Sequence, residues 1–272
     1  MHIFNAEGSH AINKPCGRYI TCSLPDRKTP RRTGQAAAVI ANELTSLLPN
    51  LHGRTLLLAG LGNESAVPDS LGPAVVAASY ATRQIFDHNP PLGLERLCTI
   101  APGVLGMSGI ETAEILRGIC DRLSPAAVIA VDALAAASIS RVGTTVQLSD
   151  SGIAPGSGVG SGRASLNQET LGCPVVAIGV PTVVDTSAIV SETIDALRQY
   201  WLQQTSSRLP ELDDKGREYI EQSLLASFQG RLMVTPRDID DLIADMAELL
   251  AAAIAICVHP ACNESNYFDF IK

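Results

Sequence analysis

Residues 56–73 read LLLAGLGNESAVPDSLGP. The unbroken apolar run 56–59 suits a strand buried on both faces of a parallel sheet. Gly60 and Gly62 supply a tight exit from that strand. Asp69 then precedes a helix expected over residues 72–85. A strand, a glycine-bearing turn and a helix make the repeating unit of an α/β protein.

The same alternation extends in both directions. Strands are expected at Gly17–Ser23 and at 97–100, 127–131, 144–148 and 175–179. Helices are expected at 33–48, where Ala36, Val39, Ile40, Leu44 and Leu47 recur at three- and four-residue spacing, and at 110–123 and 187–200. A last helix reaches about Val258, with Thr235 as N-cap and Pro236 at its first position. The fold class is therefore α/β, a mostly parallel sheet flanked by helices, built as a single domain over residues 1–272. Two departures interrupt the rhythm: a polar surface insertion near 203–231 and a flexible C-terminal tail of about ten residues.

Composition narrows the partners. The hydrophobic fraction is 46% and the aromatic fraction 4%, so the core is aliphatic. A net charge of −8 makes the surface a poor match for nucleic-acid phosphates. The N-terminal stretch lacks the basic and apolar segments of a secretory signal. No apolar run reaches the roughly 18 residues that span a bilayer. The seven cysteines form no CxxC pair and read as reduced, small apolar residues of a cytoplasmic protein.

Four segments carry candidate chemistry, and three of them follow a strand directly, where open α/β sheets bind ligands. Asp69 in residues 60–73 is either a helix N-cap or a functional carboxylate. Residues 101–112 (APGVLGMSGIET) place Gly103, Gly106 and Gly109 ahead of a helix. Their amides are candidates for holding an anion or developing oxyanion, beside the plainer reading of a structural loop. Asp132 ends the strand 127–131, where a carboxylate is costly to bury unless hydrogen-bonded or sharing a proton. The loop 149–163 (SDSGIAPGSGVGSGR) holds Asp150 and Arg163 as candidate substrate contacts. Asp185 reads as an N-cap. No P-loop, dinucleotide fingerprint, GxSxG elbow or HExxH is present. What remains at the strand ends is a pair of aspartates, able in principle to act as general base and general acid on an amide.

These segments together resemble the germination protease family of endospore formers. GLGN with PDSLGP, APGVLGMSGIET, VIAVDALAA, DSGIAPGSGVGSGR, LGCPVVAIGVPTVVD and LMVTPRDID occur in the family's order. The resemblance implies a fold similar to that of the hydrogenase maturation proteases and an aspartate-dependent endopeptidase, with its two essential aspartates at Asp69 and Asp132. It implies that small acid-soluble spore proteins are the substrate and germination the occasion. It also implies a homotetramer in the forespore and spore core, with no metal, cofactor, membrane or direct nucleic-acid partner. The chain departs from the family pattern at Ala137, Ala154 and Ser161, where Arg, His and Asn are usual. It reaches the first strand after sixteen residues, so zymogen control of the usual kind is not expected. The alternatives are a non-catalytic sporulation protein on the same scaffold that binds a protein partner, and a metal-dependent maturation peptidase.

Overall fold

The computed structural model describes residues 2–3, 14–24, 33–87, 93–156, 164–204, 213–225 and 232–272. Its strands are β1 (His2–Ile3), β2 (Gly17–Ser23), β3 (Thr55–Gly60), β4 (Arg96–Ile100), β5 (Ala127–Ala136), β6 (Thr145–Ser149), β7 (Val175–Asp185) and β8 (Met233–Val234). Its helices are α1 (Thr33–Leu47), α2 (Leu71–Ala78), α3 (Leu105–Ser108), α4 (Thr112–Leu123), α5 (Gln168–Leu171), α6 (Thr186–Gln204), α7 (Asp214–Leu225) and α8 (Ile239–Val258).

The sheet order is β1-β2-β6-β7-β5-β3-β4, with β8 on β7. Strands β7, β5, β3 and β4 are mutually parallel, and the apolar runs 56–59, 127–131 and 175–178 are buried on both faces. β6 is antiparallel to both β7 and β2, so the sheet is mixed. The connection from β5 to β6 covers only residues 137–144, too short for the crossover that a parallel strand needs.

Alternation along the strands sorts the core into two layers. Leu56, Leu58, Ile129 and Val131 face one layer, with Leu44 of α1, Val75 of α2 and most of α8. Leu57, Ala59, Val128 and Ala130 face the other, with Leu116 and Cys120 of α4 and Leu171 of α5. α8 is buried along most of its length, including the unbroken run 249–255. No helix among the described residues is long and apolar enough to cross a membrane.

Several expectations change in detail. Val39 of α1 is 57% exposed and Ala37 takes its place in the core. The helix expected over 72–85 stops at Ala78. The Ser79 hydroxyl bonds back to Val75 O, and Ser79 pairs with Ile271. Thr82 is drawn to β4, donating to Glu95 O at 2.6 Å and accepting from Leu97 N–H. α8 begins at Ile239 rather than Pro236, because the Thr235 hydroxyl donates to Thr182 O on β7. Within the span 203–231, the described residues 214–225 form α7. Arg217 of that helix bonds Ser191 and Asp195 of α6, both at 2.7 Å.

The C-terminal residues are docked, which corrects the reading of a flexible tail. Tyr267 and Ile271 are buried in the larger core layer, and Lys272 N–H donates to Ala78 O at 2.7 Å. Phe270 stacks on His259. Local polarity had concealed two apolar side chains that meet α2 and α8 only in three dimensions.

Candidate active site

Both candidate catalytic aspartates lie at the carboxyl ends of the parallel strands. β3 pairs with β5 up to Gly60↔Val131, and Leu61 N–H extends the ladder by donating to Val131 O at 2.8 Å. Asp132 is thus the first residue of β5 beyond the end of β3. The strand itself continues to Ala136, so Asp132 is an interior residue of β5, not its last. The strand persists because β7 continues beside it, with Asp132 paired to Gly179. Asp132 is 5% exposed, and its Oδ1 accepts the Ala133 N–H at 3.0 Å.

Parity along β5 puts Asp132 on the α4 side of the sheet, with Ala130 below it and Leu134 above. Leu134 leans over the neighbouring strand at Gly179, where a Cβ would overlap its Cδ1. One strand further, Gly179 pairs with Gln147 of β6.

Asp69 closes a single helical turn, Val67–Asp69, between β3 and α2. Its N–H donates to Ala66 O at 2.7 Å, and its Oδ2 accepts from Asn63 N–H at 2.8 Å. Ser70 occupies the N-cap position of α2 and makes no side-chain capping bond. Asp69 therefore fastens its carboxylate to the loop that carries it. Three glycines allow the loop to fold this tightly. A Cβ at Gly60 would overlap the Gly72 carbonyl, and one at Gly72 would overlap the Leu61 backbone. Gly62 has φ +113°, and a Cβ there would overlap the Asp69 carbonyl oxygen.

The remaining candidates are placed differently. Gly103, Gly106 and Gly109 lie on an exposed segment at the carboxyl end of β4, where α3 adds one short turn. Gly103 and Gly109 have φ +73° and +72°, and no atom lies within 4 Å of a Cβ built on any of the three. Met107, Ser108 and Gly109 already donate their N–H groups to Val104 and Leu105. Glu111 is the N-cap of α4, with its N–H donating to Glu114 Oε2 at 3.3 Å.

Asp150 is bound to Arg18, accepting from its N–H and its Nε, each at 2.7 Å. It follows β6, whose Ser149 pairs with Ala177 while Asp132 pairs with Gly179. That register sets Asp150 about three residues, or roughly 10 Å, along the strand direction from Asp132. Arg163 lies outside the described residues. Asp185 accepts from Ser187 N–H at 2.9 Å and from the Ser187 hydroxyl at 2.8 Å, which fits its reading as a cap for α6.

A shallow hollow of about 660 Å³ lies along the outer face of α4, lined by Ile110, Glu114, Ile115, Ile119 and Leu123. It contains neither aspartate. Among the described residues, no group of three or more His, Cys, Asp or Glu side chains is gathered to hold a metal ion.

Sequence reading missed Thr182. It is 1% exposed, and its hydroxyl donates to Pro68 O, one residue before Asp69, at 2.7 Å. The available signal was Pro181, since a proline inside a central strand demands a bulge.

A sequence profile described as germination protease matches residues 1–209. The chain belongs to the germination protease family. The germination protease of Clostridium perfringens is 38% identical, with 96% of this chain and 83% of the relative covered. That of Caldanaerobacter subterraneus is 39% identical over 98% of this chain and 86% of its own length. That of Priestia megaterium is 36% identical over 96% and 83%. Among solved structures, a nickel–iron hydrogenase maturation protease, HycI from Thermococcus kodakarensis, matches with a TM-score of 0.36 and 16% identity. The match covers 78% of this chain and 98% of that one. Membership of the germination protease family makes the chain a protease.

Proposed function

We propose that this germination protease is an endopeptidase that initiates the degradation of small acid-soluble spore proteins, with Asp69 and Asp132 activating the attacking water. The observation that carries the reading is the sheet edge itself. Asp132 stands on β5 where β3 stops, and Asp69 lies in the turn that β3 feeds and β7 anchors at Pro68. In the ionised state one carboxylate takes a proton from water as its oxygen attacks the scissile carbonyl carbon. The other, protonated, delivers its proton to the amide nitrogen as the C–N bond breaks. The products are a new carboxylate terminus and a new amine. The exposed segment 103–109 suits the tetrahedral oxyanion, with the amides of Leu105 and Gly106 as donors. Asp150 and Arg163 remain candidate substrate contacts in the same reading, beside the structural pair that Asp150 makes with Arg18.

The proposal extends to assembly and place. A homotetramer in the forespore and spore core would have an apolar surface to bury, and Leu197, Tyr200, Trp201 and Leu202 of α6 are all exposed. Sedimentation at several concentrations measures the assembly. The mechanism is tested by incubating purified small acid-soluble spore protein with wild type, Asp69→Asn and Asp132→Asn, with and without chelator. The reading expects chelator-resistant cleavage that each substitution reduces by at least about a thousandfold. Full activity in either variant would remove that carboxylate from the mechanism.

A further inference from the structure

We infer that Thr182 is a positioning residue for the Asp69 carboxylate, and that β7 acts as the common ruler for both aspartates. The inference rests on the two-aspartate reading.

The geometry begins with Pro181. Proline has no N–H to give to a ladder, so a strand that contains it in the middle of a sheet must bulge. β7 does so at this point. Leu134 pairs with Pro181 and Ala135 with Val183, leaving Thr182 as the extra residue opposite neither. Bulges are over-represented next to active sites. Here the Thr182 hydroxyl meets Pro68 O at 2.7 Å. The bulge is itself secured on both sides. Gly143 N–H donates to Pro181 O at 2.8 Å, and the Thr235 hydroxyl donates to Thr182 O at 3.2 Å.

The bond matters because of what lies next to it. Pro68 precedes Asp69 directly, and the turn 63–69 otherwise closes on itself through Asp69 N–H to Ala66 O and Asn63 N–H to Asp69 Oδ2. Those internal bonds define the shape of the turn. Its near end is tied to β5 by Leu61 N–H donating to Val131 O at 2.8 Å. Thr182 ties its far end to β7, the strand that also pairs Gly179 with Asp132. Gly179 and Thr182 are three residues apart, roughly 10 Å along one strand. A carboxylate on β5 and one on the β3–α2 connection are thereby referred to one rigid element. A buried hydroxyl of this kind also carries a cost if its partner is lost, so the bond resists opening.

Three proteins decide the matter: Thr182→Val, which keeps the shape and removes the donor, Thr182→Ser, which keeps the donor, and wild type. Cleavage of purified small acid-soluble spore protein gives kcat and KM across pH. Amide hydrogen exchange over residues 61–70 reports the turn without reference to catalysis, and melting temperature reports global stability. The expected result for Thr182→Val is a kcat reduced roughly tenfold or more, with KM near wild type. Its exchange at 61–70 should be at least about tenfold faster, and Thr182→Ser should restore both to within roughly twofold. Wild-type kcat and wild-type exchange in Thr182→Val would overturn the inference, whatever the melting temperature does. So would a lowered melting temperature with unchanged kcat, since that is the signature of a bond that only stabilises. Asp69→Asn and Asp132→Asn run in the same series separate the two failures. If either remains active the two-aspartate reading falls. If both are inactive while Thr182→Val is normal, only the positioning role falls.

Discussion

The N–H of Asn63 donates to Oδ2 of Asp69 at 2.8 Å, closing a seven-residue loop onto its own carboxylate. The bond makes Asp69 a fixed point of the strand-to-helix connection. It also makes the loop intolerant of bulk at Gly62, the residue directly before Asn63.

Gly62→Ala tests that intolerance. The residue has φ +113°, and its new Cβ would overlap the Asp69 carbonyl and come within 3.2 Å of Asp69 Oδ1. Strain and displacement together should cost about 1–3 kcal/mol of stability. Cleavage should fall by more than the lost folded fraction accounts for, because the carboxylate moves. Urea unfolding and kcat on the same preparation measure both. Unchanged values would show that the loop has slack that its glycine does not suggest.

Asp150 offers a contrast. It accepts two bonds from Arg18, whose guanidinium also reaches Ser46 O at 2.8 Å. The side chains are 34% and 26% exposed, so solvent screens the pair and its worth is modest. Asp150→Ala should lower stability by about 1–2 kcal/mol, chiefly by orphaning the Arg18 N–H. A loss of stability with KM near wild type would leave Asp150 as the structural partner of Arg18 alone. A raised KM with an unchanged melting temperature would instead make Asp150 a substrate contact.

His259 gives the protein a pH dependence. It is 2% exposed, its Nδ1 accepts from Glu95 N–H at 3.2 Å, and it stacks on Phe270. Burial pushes its pKa down from 6.5 to about 4, with nearby Glu95 opposing the shift in part. The unfolded chain therefore binds a proton between pH 6.5 and 4 that the folded chain refuses. Stability from this group is complete above the upper value and declines as pH falls through the window. The unfolding free energy of wild type minus that of His259→Gln should drop by about 2 kcal/mol between pH 7 and pH 5. A difference that does not change with pH would mean that His259 takes up its proton without cost.

The C-terminal dock is tested at Tyr267. The residue is 5% exposed in the larger core layer, and the backbone beyond it is fastened by Lys272 N–H to Ala78 O. Tyr267→Ala should cost about 3 kcal/mol and lower the melting temperature accordingly. A loss under about 0.5 kcal/mol would return the segment to the status of a loose tail.

Much of this architecture was legible in the residues. The run 56–59 could only be a doubly buried strand, and its glycines marked the turn correctly because two backbones meet there with no room for a Cβ. The strand ends were harder. Residues 132–136 and 180–185 continue β5 and β7, although Asp132 and Pro181 each look like punctuation when met alone. Each extension survives because the other strand lies beside it, a condition that no local pattern contains.

The sequence by itself determined the alternation of strands and helices, the two core layers that follow from parity, and the motifs that carry the family resemblance. These depend on period, side-chain size and residue type, all of which are local. Only the tertiary structure decided that Asp150 joins Arg18, that Tyr267 and Ile271 dock beneath α2 and α8, and that Thr182 grips the turn before Asp69. Those partners lie between 114 and 132 residues apart where the bonds are direct. Their meeting is a consequence of strand order and register, which emerge only when every layer packs at once.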